Sequence, residues 1–276
     1  WEREADGVLR HPVGRRLIGA ADTPDPRDPR LHPFEYAQTD PDRPAFVAFE
    51  SGTVLTYGQL DDQSNQAAQL FRKLGLKKGD VVAVLLKNSP TFAVVYWGVQ
   101  RSGLMLTPVS THLKAEEVAY ILRDCGAKAL ITSPDASEAA VQLAAQRDAL
   151  LPGVSAVFTV GGPMAGAQRW SGALGAMPAT WIADEASGYY LVFSGGSSGR
   201  PKGVVLPFES GPIEQLSQME QMVFARATPS TGKVNVVLNP APLYHAAPLF
   251  TMITTQRKGD TLVVLERFDA VQALKA

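Results

Sequence analysis

The residues best suited to chemistry lie together in one run, Leu191-Val192-Phe193-Ser194-Gly195-Gly196-Ser197-Ser198-Gly199-Arg200-Pro201-Lys202-Gly203. Three glycines and three serines follow an apolar stretch, and Lys202 closes the segment. Glycine lets the backbone take positive φ and come close to a ligand. Successive N–H groups in such a loop form an anion-binding concavity, the hydroxyls add donors, and Lys202 adds a point charge on a flexible stem. The chemistry on offer is the cradling of a polyphosphate. The frame is not a Walker A loop, because no Gly-Lys-Ser/Thr follows a GxxxxG, and it lacks the GxGxxG of a dinucleotide fingerprint. Residue types alone leave two readings open: a phosphate loop, or a flexible turn with Lys202 solvated beside it.

Other reactive side chains are less telling. His245 stands between a tyrosine and two alanines, a setting that by itself reads as structural. The single cysteine, Cys125, ends a helical pattern and reads as buried packing. One cysteine excludes an internal disulfide and fits a reducing cytosol, so a cytoplasmic location is expected. Phe92, Tyr96 and Trp97 form an aromatic helical face assigned to the core. His112 beside Lys114 receives no role. Asp61-Asp62 and Glu116-Glu117 are neighbours whose side chains point to different faces of a helix, so neither pair makes a metal site. The histidines and the cysteine show no zinc-ligand spacing.

The 191–203 run resembles the phosphate-loop signature of the adenylate-forming (AMP-binding) superfamily, which includes acyl-CoA synthetases, luciferases and adenylation domains. The resemblance is specific over Gly199-Arg200-Pro201-Lys202-Gly203. Ser197 and Ser198 keep the hydroxyls of two usual threonines, and Gly195 replaces a usual serine, which implies a weaker or more mobile loop. Three further segments resemble family landmarks and come in the family's order: Leu55-Thr56-Tyr57-Gly58-Gln59-Leu60, Gly79-Asp80-Val81-Val82-Ala83, and Pro240-Ala241-Pro242-Leu243-Tyr244-His245. The stretch Leu262 to Asp269 is similar to that of the fatty-acyl-CoA synthetase type.

The resemblance implies ATP-dependent activation of a carboxylic acid, fatty or otherwise apolar, to acyl-AMP and then acyl-CoA. ATP, magnesium and coenzyme A would serve the complete enzyme. Ser194, Gly195, Gly196, Ser197, Ser198 and Gly199 would wrap the β- and γ-phosphates, with Lys202 assisting them or bracing the loop. His245 would line or gate the passage between nucleotide and acyl channel, with Tyr244 and Leu249 as packing. Amino-acid-activating members place an Asp near this region, and Leu243-Tyr244-His245-Ala246-Ala247 has none.

Elements that must position these residues can be read from periodicity. Phe46–Phe49 and Val54–Thr56 flank Ser51-Gly52 as a hairpin. Leu60, Ser64, Ala67, Phe71 and Leu74 follow helical spacing up to Gly75. A strand–helix alternation follows: strands at 81–86, 104–108, 129–132 and 156–160, helices at 90–101, 118–125 and 135–150. Residues 161–178 read as a loop and 189–193 as the strand feeding the glycine-rich run. Extended structure resumes at 204–206, a helix is expected over 209–226 despite Pro212, and 235–238, 247–257 and 261–265 read as strand, helix, strand. The fold class is α/β, with parallel-type sheets flanked by helices, as in a truncated large N-terminal domain of acyl-CoA synthetases.

Composition agrees with a globular chain: 276 residues, 45% hydrophobic, 19% charged, formal net charge −1. No basic face points to nucleic acid, and the longest apolar runs are far too short to span a bilayer. Residues 1–33, rich in Pro, Asp and Arg, read as an extended N-terminal arm. Residues 34–276 read as an incomplete AMP-binding domain. The family's adenine, ribose and lid-lysine motifs do not occur, and the chain starts at Trp1 and stops inside an apparent helix. A fragment without its C-terminal lid, inactive alone, is therefore expected. A non-catalytic scaffold and a fatty-acyl-AMP ligase are the alternatives.

Overall fold

The structure, a computed structural model, describes the backbone of Glu2–Arg3 (β1) and Leu9–Arg10 (β2), an antiparallel pair, and residues 32–194, 201–204, 210–217, 220–222 and 234–276. Helix α1 (Pro33–Thr39) precedes an antiparallel hairpin of β3 (Pro44–Ala48) and β4 (Val54–Thr56), then α2 (Tyr57–Lys73). The expected alternation follows as β5 (Val81–Leu85), α3 (Pro90–Arg101), β6 (Met105–Pro108), α4 (Ala115–Asp124), β7 (Ala127–Thr132), α5 (Glu138–Ala145), α6 (Arg147–Leu150) and β8 (Ala156–Thr159). Next come β9 (Gln168–Arg169), α7 (Trp170–Gly175), β10 (Tyr189–Tyr190), β11 (Val192–Ser194), β12 (Lys202–Val204), β13 (Val236–Asn239), α8 (Ala246–Arg257), β14 (Thr261–Val264) and α9 (Ala270–Ala273).

Two sheets organise these elements. One is parallel throughout, in the order β10-β6-β5-β7-β8-β9; the other runs β13-β14-β3-β4, with β13, β14 and β3 parallel. Strand β5 has no polar residue because both its faces are covered. Val82 and Val84 join one core cluster, while Val81, Ala83 and Leu85 join another with Val118, Ile121 and Leu122 of α4. The first cluster runs from Val82 and Leu106 through Phe92, Trp97 and Val99 of α3 to Phe46, Leu262 and Val264. Helix α3 therefore lies between the sheets, which is why its sequence is apolar on every side. Phe92, Tyr96 and Trp97 are core residues, as expected, with Trp97 Nε1 donating to Gln256 Oε1 at 2.6 Å.

Several expectations need correction. Residues 161–178 are not all loop: β9 and α7 form there, anchored by buried Trp170 against Phe158 and Phe71 (ring centroids 5.6 and 6.3 Å). The helix expected over 209–226 is absent across 210–217. There the Gly211 N–H donates to Ser187 Oγ at 2.8 Å and Ser210 Oγ donates to the Ser187 carbonyl at 2.7 Å, so the segment is laid down on β10's approach. A helical turn is present at 220–222, behind a reciprocal pair in which the Ser217 N–H donates to Glu220 Oε2 and the Glu220 N–H to Ser217 Oγ. His32 and Pro33, the last residues of the expected arm, are buried, with His32 capping α1 and its Nε2 3.1 Å from Gln100 Oε1.

One surface pair ties α2 to the approach of β10. Arg72 Nε donates to Asp184 Oδ1 at 3.0 Å, and this hydrogen bond holds the Asp184 carboxyl below its ordinary value. A folded pKa below the unfolded one gives stability that is present above the unfolded pKa and lost as pH falls through the folded pKa. Solvent screening keeps that contribution small, because the Asp184 side chain is 56% exposed. Arg72→Met is expected to return the Asp184 titration, followed by carboxyl-carbon NMR, to the ordinary carboxylate range. An unmoved titration would show that Arg72 is not the cause.

Candidate functional site

The glycine-rich run is flanked by the two strands of an antiparallel ribbon, β11 and β12. Val192 pairs with Val204, Phe193 with Gly203 and Ser194 with Lys202. Residues directly opposite on such a ribbon share a face, so Ser194 and Lys202 stand side by side at the end of the ribbon, both exposed. Phe193 turns the other way and packs against the core cluster beneath α4. Gly203 makes room for it, since a Cβ there would sit 3.3 Å from the Phe193 ring and 3.3 Å from Leu191 Cδ1. Gly195, Gly196, Ser197, Ser198 and Gly199 lie outside the described residues. Extended structure is present from Lys202 to Val204, two residues earlier than expected, and 205–206 likewise lie outside the described residues.

The ribbon's place follows from the parallel sheet. It grows directly from β10, whose neighbour is β6 and whose next neighbour is β5. All three run the same way, so their carboxyl ends open on one edge, the edge at which open α/β sheets take ligands. With strands about 4.8 Å apart, the ends of β10 and β5 are separated by roughly 10 Å.

His245 reaches this edge from the second sheet. Strand β13 ends at Asn239, the chain turns through Pro240–Tyr244, and His245 becomes the N-cap of α8, exposed and without a side-chain capping bond. Its N–H donates to the Pro242 carbonyl at 3.1 Å. Tyr244 and Leu249 are buried, as expected of packing residues. The Tyr244 ring lies 4.7 Å from the His245 ring and 6.4 Å, edge-on, from His112 in the loop after β6. His112, given no role from sequence, thus meets the His245 segment across the two sheets. Asn88, after β5, does so by hydrogen bonds: Nδ2 donates to the carbonyls of Leu265 and Ala241, and Oδ1 accepts from the Leu243 N–H. Sequence offered no signal for either contact, because the partners are more than 130 positions apart.

Electrostatics at the remaining candidates are plain. Burial pushes the Cys125 thiol up, against a hydrogen bond with Thr107 that lowers it, so the thiol stays protonated and unreactive at neutral pH. Asp61 serves a buried ion pair with Arg101 rather than a surface (2.6 Å). Among the described residues no group of three or more His, Cys, Asp or Glu side chains is arranged to hold a metal ion. The magnesium that the resemblance implies therefore has no ligand set among them, and no step below runs through it. No helix among the described residues is long and apolar enough to cross a membrane.

Comparison with known proteins identifies the family and the fold. The family model described as "AMP-binding enzyme" matches residues 34–276. The chain is 30% identical over 241 residues to a long-chain-fatty-acid–CoA ligase, FadD13, of Mycobacterium tuberculosis, covering 86% of this chain and 44% of that protein. It is 31% identical over 232 residues to 4-coumarate–CoA ligase 3 of Oryza sativa subsp. japonica, covering 82% of this chain and 40% of that one. Among solved structures, the N-terminal domain of FACL13 from Mycobacterium tuberculosis superposes with a TM-score of 0.72 at 25% identity, over 88% of this chain and 58% of that one. The chain spans less than half the length of the two ligases it matches.

Proposed function

Because the chain belongs to the AMP-binding enzyme family, we propose that it is the phosphate-binding portion of an acid–CoA ligase that activates an apolar carboxylic acid with ATP. The observation that carries this reading is the ribbon at the carboxyl edge, which sets Ser194 beside Lys202 at the two ends of the glycine-rich run. The acid's carboxylate oxygen forms a bond to the α-phosphorus, and the bond from that phosphorus to the bridging oxygen breaks to release pyrophosphate. Such a reaction asks the protein chiefly for alignment and for cations and donors around the departing phosphates. Ser194, Gly195, Gly196, Ser197, Ser198 and Gly199 supply donors to the β- and γ-phosphates, and Lys202 supplies charge. His245 borders the acyl side. It has no proton to remove, because the acid is already ionised at neutral pH.

The names of the relatives, a long-chain-fatty-acid ligase and a 4-coumarate ligase, support an apolar acid as substrate. So does the absence of a carboxylate in the stretch Leu243–Ala247, which would be needed to hold an ammonium group. The second half-reaction transfers the acyl group to coenzyme A, with adenine, ribose and lid residues supplied by sequence outside 34–276. The single cysteine, which fits a reducing compartment, supports a cytoplasmic location for this reaction.

Lys202→Ala, made in a protein of the ligases' full length that contains residues 1–276, tests the phosphate role. Losing one charged hydrogen-bond partner costs about 1.5–3 kcal/mol, so ATP affinity is expected to fall roughly tenfold to a hundredfold by calorimetry. AMP, which lacks the β- and γ-phosphates, is expected to bind as before. An equal loss for AMP and ATP, or none for either, would remove Lys202 from the phosphate site.

A further inference from the structure

The turn after β5, residues 87–89, stands where the sheet's connections diverge, with β6 on one side of β5 and β7 on the other. Open α/β sheets offer their ligand crevice at such a point. Here the 240–245 segment engages the turn after β5 through the side chain of Asn88. Asn88 is 8% exposed. Its Nδ2 donates to the Leu265 carbonyl at 2.8 Å and the Ala241 carbonyl at 3.1 Å, and its Oδ1 accepts from the Leu243 N–H at 2.8 Å. Three chain segments meet on it: the end of β5, the end of β14 in the other sheet, and both flanks of Pro242.

The amide is matched to this task. It offers two donors and an acceptor in one plane. A carboxylate would set negative oxygen against two carbonyls, and an aliphatic side chain would leave three backbone groups at the junction without their partner. The segment so held is the one that delivers Tyr244 and His245. His112 touches the same Tyr244 from the β6 loop, so at this edge the 240–245 segment is met at two points, polar at Asn88 and aromatic at Tyr244.

We propose that Asn88 is a positioning residue for the acyl side of the site. It fixes the 240–245 segment against the edge that carries the phosphate ribbon, and it does so without touching substrate. The kinetic part of this proposal rests on the adenylation reading above; the conformational part does not.

Two measurements on Asn88→Ala separate the parts, with Asn88→Ser in reserve should the alanine variant fail to fold. Thr132→Val is the control, because Thr132 Oγ1 donates to the Leu85 carbonyl at 2.9 Å at the same strand end without reaching 240–245. In the 276-residue chain, hydrogen exchange of the Leu243 amide is expected to speed at least tenfold in the Asn88 variant and to stay unchanged in the control. In the full-length ligase, pyrophosphate exchange is expected to show a lower kcat and a raised KM for the acid, with KM for ATP within twofold of the parent. Equal Leu243 protection in both variants, or a loss of stability with kinetics untouched, overturns the proposal. Absence of exchange in the parent defeats the adenylation reading instead, and the Leu243 amide then decides Asn88 alone.

Discussion

Replacing Arg101 with methionine is expected to destabilise the fold by about 3–5 kcal/mol, the usual cost of breaking a buried ion pair from one side. Arg101 is the last residue of α3 and has no exposed surface. Its guanidinium donates to Asp61 Oδ1 at 2.6 Å and to Asn65 Oδ1, and its Nε lies 3.7 Å from Glu185 Oε1. Methionine fills much of the volume, so the loss is electrostatic: Asp61 stays buried and loses its cation. The same residue's carbonyl accepts from the Ala186 N–H at 3.2 Å, which places the pair at the joint between α2, α3 and the approach to β10. Adding Asp61→Leu to Arg101→Met is expected to restore a large part of the loss, because replacing both members of a buried pair with apolar groups is often close to neutral. Urea denaturation of the single and double variants measures the cycle. A single-variant loss below about 1 kcal/mol would mean that the pair behaves as a solvated surface bridge.

The second large effect is expected at Gly188. A Cβ there would lie 2.2 Å from the Leu104 carbonyl oxygen, 2.8 Å from that of Val99 and 2.9 Å from the Leu104 nitrogen. These are backbone atoms, so no rotamer relieves the clash. The Gly188 N–H donates to the Gln100 carbonyl, and the following residues hold β10 to β6 through Tyr189 N–H to Leu104 and Leu191 N–H to Leu106. Gly188→Ala must push β10 away from β6, at a cost of about 3 kcal/mol, the upper end of ordinary overpacking. Because the ribbon proposed to bind phosphate begins two residues beyond β10, its end moves as well, and on that proposal ATP affinity is expected to fall in a protein of the relatives' length that contains this chain. Gly172→Ala in α7 is the contrast, since nothing lies within 4 Å of a Cβ at that site. It is expected to be neutral or to stabilise by up to about 1 kcal/mol, the helix preference for alanine over glycine. Equal stability of the two variants would contradict the packing assigned to Gly188.

These two residues also mark the boundary of what sequence conveys. Strand β5 and helix α3 are legible because burial on all sides leaves only apolar residues, and the length of the run separates strand from helix. Arg101 is not legible. An arginine closing a helix reads as a solvated last-turn cation, and only the fold brings Asp61, 40 positions earlier, against it. Arg257 repeats the case, buried with Glu220 at 2.8 Å. Helix α7 was hidden by its Gly- and Ala-rich composition, and what stabilises it is the burial of Trp170 between Phe71 and Phe158. The run 210–217 failed as a helix for the converse reason: its helical pattern is overridden by hydrogen bonds to Ser187.

The site divides in the same way. The glycine-rich run stands out in the sequence because its residue types lie within a dozen positions, and its role as a phosphate loop is the proposal made above. The ribbon that presents Ser194 beside Lys202 depends on register and could not be read. The meeting of His112, Asn88 and the 240–245 segment depends on how two sheets pack, and no spacing in the sequence encodes it.

The most direct test of the central claim is acid-dependent exchange of labelled pyrophosphate into ATP, across short, long and aromatic acids. It is run on a protein of the relatives' length that contains these residues, with the 276-residue chain in parallel. Exchange is expected from the longer protein, strongest with apolar acids, and none from the 276 residues alone. Exchange by neither, with any acid, would contradict adenylation and leave a scaffold that keeps the fold without the reaction.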